Sequence, residues 1–285
     1  MKRIDILKIR DEEEHQDLFE DIIIDNGKQR LGATLLLPDQ SDPVPALLLL
    51  SGSGPNNRWS EVYGYPFFAK LADPLLKLGF AVLTFDKRGV GVSTGHFDET
   101  SYEERTEDAQ AALQYLANRP EVDSSRIGVL GHSEGTYIGA MLAVGSELVN
   151  YMIWLAPAGE TVQQQSITEL ANNMRINGAT EEDISRSEQR SLWKHRLLSV
   201  AKGTGTGWLA VKLARNYRPD SKLAEFSRRW YHIFDYDPKP FIAKLSIPIL
   251  AIFGELDSLC PAEENARIIR ETLPPEGLSP VSYTH

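Results

Sequence analysis

Cysteine is nearly absent from this chain, since Cys260 is the only one among 285 residues. A single thiol excludes an internal disulfide and provides no pair of cysteines at the spacing of a zinc site. Long apolar runs are missing too, because no window approaches the roughly 18 consecutive apolar residues of a membrane-spanning helix. No apolar targeting segment follows Met1. These absences predict a cytoplasmic protein without a membrane anchor, and no motif for a metal, flavin or nucleotide cofactor is present.

Basic residues are outnumbered by acidic ones. The chain has 30 Lys and Arg against 40 Asp and Glu, which gives a formal net charge of −10. Nucleic acids and anionic membranes are bound through a basic face, so the composition argues against both partners. Hydrophobic residues make up 42% of the chain, which is enough for a buried core. The composition predicts a globular protein and leaves its oligomeric state open.

Apolar runs of strand length alternate with helical patterns along much of the chain. The wholly apolar run 46–50 is typical of a strand covered by helices on both faces. Helices are predicted at 66–78 and 101–117, and Thr100 and Glu103 have the spacing of a capping box for the second. The remaining strand predictions are 80–85, 126–130, 151–155 and 247–253. This alternation predicts an α/β fold with a mostly parallel sheet.

Three segments depart from the alternation of strand and helix. Residues 1–17 are highly charged and are predicted to form a loose arm. Asn26-Gly27 lies between the runs 21–25 and 30–37, which predicts an antiparallel hairpin at the start of the sheet. Residues 158–240 show no clear strand and are predicted to form an inserted helical cap. The α/β core then comprises residues 18–157 and 241–285.

A glycine-flanked serine lies between a predicted strand and a predicted helix, in the segment Gly131-His-Ser-Glu-Gly135. This context is that of a nucleophile elbow, in which a sharp turn leaves no room for a Cβ at the flanking glycines. The N-terminus of the helix supplies a positive end beside the serine oxygen. The pattern therefore predicts Ser133 as a nucleophile.

A serine nucleophile needs a base, and a carboxylate must orient that base. Asp257 is the predicted acid because it lies in the loop after the run 247–253, at the sheet edge where catalytic groups gather. Glu255 is the alternative acid, and a surface turn whose acids only cap the next helix is the other interpretation. Two backbone N–H groups must hold the oxyanion. We predict those of Glu134 and of Ser53, which lies in a glycine-rich loop after the run 46–50.

Four motifs together resemble the α/β-hydrolase superfamily, in particular its bacterial serine-aminopeptidase-like and carboxylesterase branch. They are Ser51-Gly-Ser-Gly-Pro55, Asp86-Lys-Arg-Gly-Val-Gly-Val-Ser93, Gly131-His-Ser-Glu-Gly135 and Phe253-Gly-Glu-Leu-Asp257. The resemblance extends over residues 21–273 and implies the α/β-hydrolase fold. It also implies that Asp86 and Arg88 are structural.

The resemblance implies a serine hydrolase that cleaves carboxylic esters through an acyl-enzyme on Ser133, without a cofactor. Its substrate would be a small-molecule ester or a short peptide. Two alternatives stay open. The first is a serine aminopeptidase or amidase, in which Glu160 or Glu169 of the cap could bind a free amine. The second is a non-catalytic binding protein with the same fold.

The histidine is the weak point of this interpretation. The order of the triad on this fold is serine, acid, histidine, yet only His285 follows Asp257. His132 lies next to the serine and is expected to point away from it. The family pattern continues after residue 273 through a fuller strand, a loop with the histidine and a closing helix. We therefore expect a C-terminally truncated chain with a non-native tail, with His285 as the less favoured candidate for the base.

Overall fold

The computed structural model describes residues 18–62, 64–206, 231–275 and 282–284. An eight-stranded sheet has the order β1-β2-β6-β3-β7-β8-β9-β10, and β4 and β5 form a separate two-stranded ladder. The strands are β1 (Leu18–Asp25), β2 (Arg30–Leu37), β3 (Val44–Leu50), β4 (Glu61–Val62), β5 (Tyr65–Pro66), β6 (Ala81–Phe85), β7 (Val122–His132), β8 (Tyr151–Leu155), β9 (Ile249–Gly254) and β10 (Ser282–Thr284).

The direction of the strands matches the prediction. β1 and β2 form an antiparallel hairpin, and β2 is antiparallel to β6. From β6 onward every pair of neighbouring strands in the sheet is parallel. Gly27 adopts a φ of 82° in the hairpin turn, a conformation that glycine reaches without a steric penalty. The predicted mostly parallel sheet with an N-terminal antiparallel hairpin is thereby confirmed.

Seven α-helices lie in the described part of the chain, and most connect parallel strands. They are α1 (Phe67–Lys77), α2 (Tyr102–Ala117), α3 (Glu134–Gly145), α4 (Val162–Ile176), α5 (Glu181–Gly203), α6 (Lys239–Ile242) and α7 (Ala262–Thr272). None of the helices in these described ranges is both long enough and apolar enough to cross a membrane.

Strand β3 is buried on both faces, as its apolar sequence predicts. Leu47 and Leu49 pack in a cluster with residues of α1, whereas Leu48 and Leu50 pack in a second cluster with residues of α2 and α3. Successive side chains of a strand point to opposite faces of its sheet, so helices cover β3 from both sides. Because β3 is a central strand of the sheet, the loop that follows it lies in the middle of the row of loops at the carboxyl ends of the parallel strands.

Helix α2 begins one residue later than the proposed capping box required. Ser101, not Thr100, is the N-cap: its hydroxyl accepts from the Glu104 N–H at 3.3 Å, and the Glu104 carboxylate accepts from the Ser101 N–H at 3.0 Å. The prediction of Thr100 and Glu103 as the capping pair was wrong. Both pairs have the same spacing, and the Thr100 hydroxyl instead donates to the carbonyl of His96 at 2.6 Å.

Helices α4 and α5 lie in the connection between β8 and β9, within the stretch 158–240 that is predicted to form a cap. The side chains of Thr161 and Thr180 cap their N-termini. The boundaries of the cap stay a prediction, and residues 207–230 lie outside the described part. The predicted arm at 1–17 also lies outside it.

Strand β9 is less deeply buried on one face than on the other in the part of the chain that the structure describes. Ile249, Ala251 and Phe253 are buried, while Leu250 on the opposite face is 37% exposed. An exposed leucine on an otherwise parallel sheet is unusual because helices commonly cover both faces of such sheets.

Candidate active site

Ser133 lies at the sharp turn between β7 and α3. Its backbone has a φ of 49° and a ψ of −117°, and it is one of three non-glycine residues with positive φ in the described ranges. Such a conformation is costly for a residue with a Cβ and is commonly found at functional sites. The Ser133 N–H donates to the carbonyl of Leu155 at 2.9 Å, and the Thr136 hydroxyl donates to the Ser133 carbonyl at 2.7 Å. These contacts with β8 and α3 hold the strained turn.

Two glycines allow the turn to be this tight. A Cβ on Gly131 would lie 2.6 Å from the carbonyl oxygen of Gly135. A Cβ on Gly135 would overlap the carbonyl oxygen of Leu50, the last residue of β3. The reason that the sequence analysis gave for both glycines, close approach of strand and helix, is the one found in the structure.

Ser133 lies on the wall of an open cavity of about 650 Å³, solvent-facing space included, whose walls also include both predicted oxyanion donors, Ser53 and Glu134. Glu134 is the first residue of α3, so its N–H is one of the four at a helix start without an intrahelical acceptor. The rest of the wall is mostly apolar or aromatic and includes Tyr102, Tyr137, Ala158, Val162 and Ile233.

The side chain of Glu134 is buried in a cluster of charges that the sequence analysis missed. Its carboxylate binds Lys87 Nζ and Arg105 Nη1, each at 2.8 Å. The Tyr102 hydroxyl donates to the same carboxylate at 3.3 Å. Burial opposes ionisation of Glu134, but the charges of Arg105 and Lys87 outweigh it and lower the pKa of the carboxyl below its usual value. Glu134 is therefore ionised at neutral pH.

Asp257 lies in the turn after β9, as predicted, and is half-buried, whereas its rival Glu255 is exposed. One Asp257 oxygen accepts from the backbone N–H groups of Leu259 and Cys260, both at 2.9 Å. These bonds fix the position of the carboxylate. They also agree with the other interpretation, in which the acids of this turn only cap the next helix. The second of these bonds joins Asp257 to Cys260, which lies on the wall of the Ser133 cavity.

Cys260 lies on the wall of the same cavity as Ser133, a position that no signal in the sequence indicated. The Gln165 side-chain amide of α4 donates to its sulfur at 3.6 Å. Burial raises the pKa of the Cys260 thiol to about 12, the charges of Asp257 and Glu169 add to this rise, and a hydrogen bond with Ser133 opposes it. The thiol is therefore protonated at neutral pH and lacks the properties of a nucleophile.

Cys260 is expected to react very slowly with 5,5′-dithiobis(2-nitrobenzoate) in the native protein. A thiol with a pKa of about 12 has a thiolate fraction at about pH 8 that is roughly 10³-fold below that of a free cysteine. The native protein should therefore release almost no thionitrobenzoate, and one equivalent should appear after unfolding in urea, because the chain has one cysteine. Fast reaction of the native protein would contradict the burial of this thiol.

Two of the described histidines, His132 and His195, pack against aromatic rings. The His132 ring packs on Phe67 of α1, with the ring centroids 5.2 Å apart. Burial lowers the pKa of His132, Asp257 opposes this and Lys87 adds to it. His195 is buried in α5 and stacks on Phe234. His285 lies outside the described residues.

Asp86 and Arg88 have structural partners, in agreement with the role that the resemblance implied. Asp86 is 2% exposed and accepts from the Arg58 N–H at 2.7 Å and from Arg58 Nη2 at 2.8 Å. Arg88 Nε donates to Asp108 at 2.6 Å, and its Nη1 pairs with Glu104 at 3.1 Å. Both residues link loops to neighbouring helices and strands.

Glu160 and Glu169, the two acids considered in the predicted cap, lie in different surroundings. Glu169 lies on the wall of the Ser133 cavity. Glu160 accepts from the Thr168 hydroxyl at 3.1 Å, and burial raises its pKa while this hydrogen bond opposes the rise. Among the described residues, no group of three or more His, Cys, Asp or Glu side chains is arranged to hold a metal ion.

Comparison with known proteins gives one family match. The sequence matches the family described as alpha/beta hydrolase fold over residues 45–280. It is 27% identical to Esterase EstD of Thermotoga maritima over 229 residues, which are 80% of this chain and 50% of that protein. The chain thus spans about half the length of the curated relatives it matches.

Solved structures show the same architecture. An esterase from Pyrococcus furiosus has a TM-score of 0.61 at 18% identity, over 90% of this chain and 77% of that one. Acetyl xylan esterase from Paenibacillus sp. R4 has a TM-score of 0.58 at 16% identity, over 95% of this chain and 81% of that one. At these identities the likeness concerns the fold.

Proposed function

Because this chain belongs to the α/β-hydrolase fold family, we propose that it is a serine hydrolase that cleaves carboxylic esters through an acyl-enzyme on Ser133. The observation that carries the proposal is the geometry of Ser133. This residue has positive φ at the junction of β7 and α3 and lies on the wall of the open cavity described above. We therefore interpret the turn at Ser133 as a nucleophile elbow.

Each proposed role follows from the needs of acyl transfer. Ser133 Oγ attacks the ester carbonyl carbon while a base takes the serine proton, and the carbonyl oxygen becomes an oxyanion. The N–H groups of Glu134 and Ser53 hold that oxyanion. The protonated base then delivers its proton to the departing alcohol, and water hydrolyses the acyl-enzyme. Asp257 orients the base through a hydrogen bond.

Two observations support an ester as the substrate. The relative from Thermotoga maritima and the two structural neighbours are all named esterases. The cavity wall is mostly apolar or aromatic around Ser133, which suits an acyl chain or an alcohol group better than a charged peptide. Alkoxides also leave with less need for protonation than amines.

The base is proposed to be a histidine outside the described residues. His285 is the one histidine that follows Asp257 in this sequence. Strand β10 supports this candidate, because Thr284 pairs with Gly254, three residues before Asp257. The chain thus reaches the edge of the sheet from which the Asp257 loop departs. The expected truncation of the chain stays a prediction.

A serine aminopeptidase is the second candidate. Glu169 supports it, because this acid lies on the wall of the Ser133 cavity and a carboxylate there could bind the free amine of a peptide. Hydrolysis of amino acid p-nitroanilides, measured beside that of p-nitrophenyl butyrate, separates the two activities. Faster hydrolysis of the anilides, lost in Glu169→Gln, would favour the aminopeptidase.

Steady-state hydrolysis of p-nitrophenyl butyrate tests the proposal, with Asp257→Asn as the diagnostic variant. The substitution keeps the shape of the side chain but removes the charge that orients and stabilises the protonated base, so kcat should fall by about 10⁴-fold. Glu255→Gln is the matched control in the same turn and should keep the wild-type rate. Absence of turnover both by this chain and by a form extended with its genomic continuation would instead favour a non-catalytic binding protein. Equal rates for wild type and Asp257→Asn would exclude Asp257 as the acid.

A further inference from the structure

The side chain of Lys87 contacts both parts of the proposed oxyanion site, namely the peptide unit that carries the Ser53 N–H and the side chain of Glu134. It follows Asp86 after strand β6, and its side chain is 12% exposed. Its Nζ donates to the carbonyl oxygen of Gly52 and also binds the Glu134 carboxylate at 2.8 Å. Lys87 lies in the motif 86–93 between Asp86 and Arg88, for which the resemblance implies structural roles, and it takes no part in the proposed acyl transfer.

The contact with Gly52 acts on the N–H group of Ser53. The Gly52 carbonyl and the Ser53 N–H belong to one planar trans peptide unit, in which C=O and N–H point in opposite directions. A donor that holds the carbonyl oxygen therefore sets the direction of the N–H. The Asn56 side-chain amide donates to the same carbonyl at 2.8 Å, so two side chains hold this peptide unit from one side.

The contact with Glu134 acts on the second donor. Glu134 supplies its backbone N–H to the proposed site, while its side chain is 4% exposed and is bound by Lys87 and Arg105. One ammonium group therefore binds the carbonyl of the peptide unit that carries the Ser53 N–H and also the side chain of Glu134, the residue that carries the second N–H.

The net charge of the cluster of Lys87, Arg105 and Glu134 is also favourable for an oxyanion nearby. Lys87 and Arg105 carry two positive charges and Glu134 carries one negative charge, which leaves one positive charge in a buried place. A negative charge that develops on the substrate oxygen nearby is stabilised by it, because screening by water is weak at a buried site.

We propose that Lys87 is a positioning residue that holds the Ser53 and Glu134 N–H groups in the geometry that binds the oxyanion. The proposal rests on the proposed function, because it requires that Ser133 forms a tetrahedral intermediate. Lys87 acts through Gly52 and Glu134 and does not itself contact the reacting atoms.

Lys87→Met tests the proposal through kcat for p-nitrophenyl butyrate and through affinity for butylboronic acid, which forms a tetrahedral adduct with a serine. Loss of one oxyanion donor costs about 10²- to 10³-fold in kcat, and a misaligned pair of donors should cost about 10- to 100-fold. KM should stay within about twofold of wild type, because the lost interaction is made in the transition state. Boronic acid affinity should fall by a factor similar to that of kcat.

Arg58→Met is the matched control. The side chains of Arg58 and Asp86 are 11% and 4% exposed and pair at 2.8 Å, so this ion pair closely matches that of Lys87 and Glu134 in length and side-chain burial. Arg58 contacts neither Gly52 nor Glu134 in the bonds described. The Arg58→Met variant should have a lowered melting temperature, as Lys87→Met should, but its kcat and its affinity for butylboronic acid should stay near those of the wild type.

Asn56→Ala provides a second test if Lys87→Met does not fold. It removes the other donor to the Gly52 carbonyl, together with the bonds from the same amide to the Ser53 and Gly54 carbonyls. It should lower kcat and boronic acid affinity together while KM is kept. Unchanged values in either variant would overturn the proposal, as would an equal loss in Arg58→Met. If wild type is no more active than Ser133→Ala, both in this chain and in a form extended with its genomic continuation, the proposed function itself fails.

Discussion

Replacing Ser133 with alanine is expected to lower kcat for p-nitrophenyl butyrate by about 10⁶-fold, the size of loss known for removal of a serine nucleophile from a hydrolase. The same variant should lose covalent labelling by a fluorophosphonate probe. The reason is chemical, because without Oγ no acyl-enzyme forms and only the oxyanion donors and substrate binding remain. Fold and stability should change little, since alanine removes only the hydroxyl.

Ser146→Ala is the control for this result, because Ser146 caps the opposite end of helix α3. It should be labelled and should turn over substrate at the wild-type rate. Equal labelling of wild type and Ser133→Ala would place the reactive group elsewhere and end the assignment of Ser133.

Replacing Gly135 with alanine is expected to cause the largest loss of stability among the substitutions considered. The added Cβ would overlap the carbonyl oxygen of Leu50, a backbone atom at the end of a strand that is buried on both faces. Because a backbone atom cannot rotate away, α3 must move from the sheet, and we expect a loss of about 3–5 kcal/mol in the free energy of unfolding. Urea denaturation followed by circular dichroism measures this loss, and insoluble expression would be its extreme form.

Gly145→Ala is the matched control in the same helix. A Cβ at Gly145 meets no atom within 4 Å, and alanine is the better helix former, so stability should change by less than about 1 kcal/mol. Similar stabilities for the two variants would show that contact between α3 and β3 is looser than the structure indicates.

Much of the fold follows from local patterns in the sequence. The strand predicted at 151–155 coincides with β8, and the helix predicted at 66–78 differs from α1 by one residue at each end. These elements could be predicted because apolar periodicity repeats within a few residues. The capping box was misplaced by one residue because Thr100 and Ser101 are chemically similar, and only the backbone geometry of the helix start distinguishes them.

The candidate site was predicted only where its chemistry is carried by neighbours in the chain. Ser133 could be identified because its two glycines and its place between strand and helix are local features. Arg105 and Cys260 left no such signal. Arg105 is an ordinary residue of an amphipathic helix, and Cys260 is a single thiol after a turn, so neither pattern indicates a place beside Ser133.

The sequence by itself determined the order of strands and helices, the hairpin at the start of the sheet and the sharp turn at Ser133. Each depends on steric and hydrophobic constraints that act within about ten residues. The tertiary structure alone decided that Lys87 joins Gly52 to Glu134 and that Cys260 lies beside Ser133. The parallel order β6-β3-β7 brings the loops after these three strands to one edge of the sheet. Charges that are tens of residues apart in the chain meet there, and they must pair because a buried, unpaired charge is strongly unfavourable.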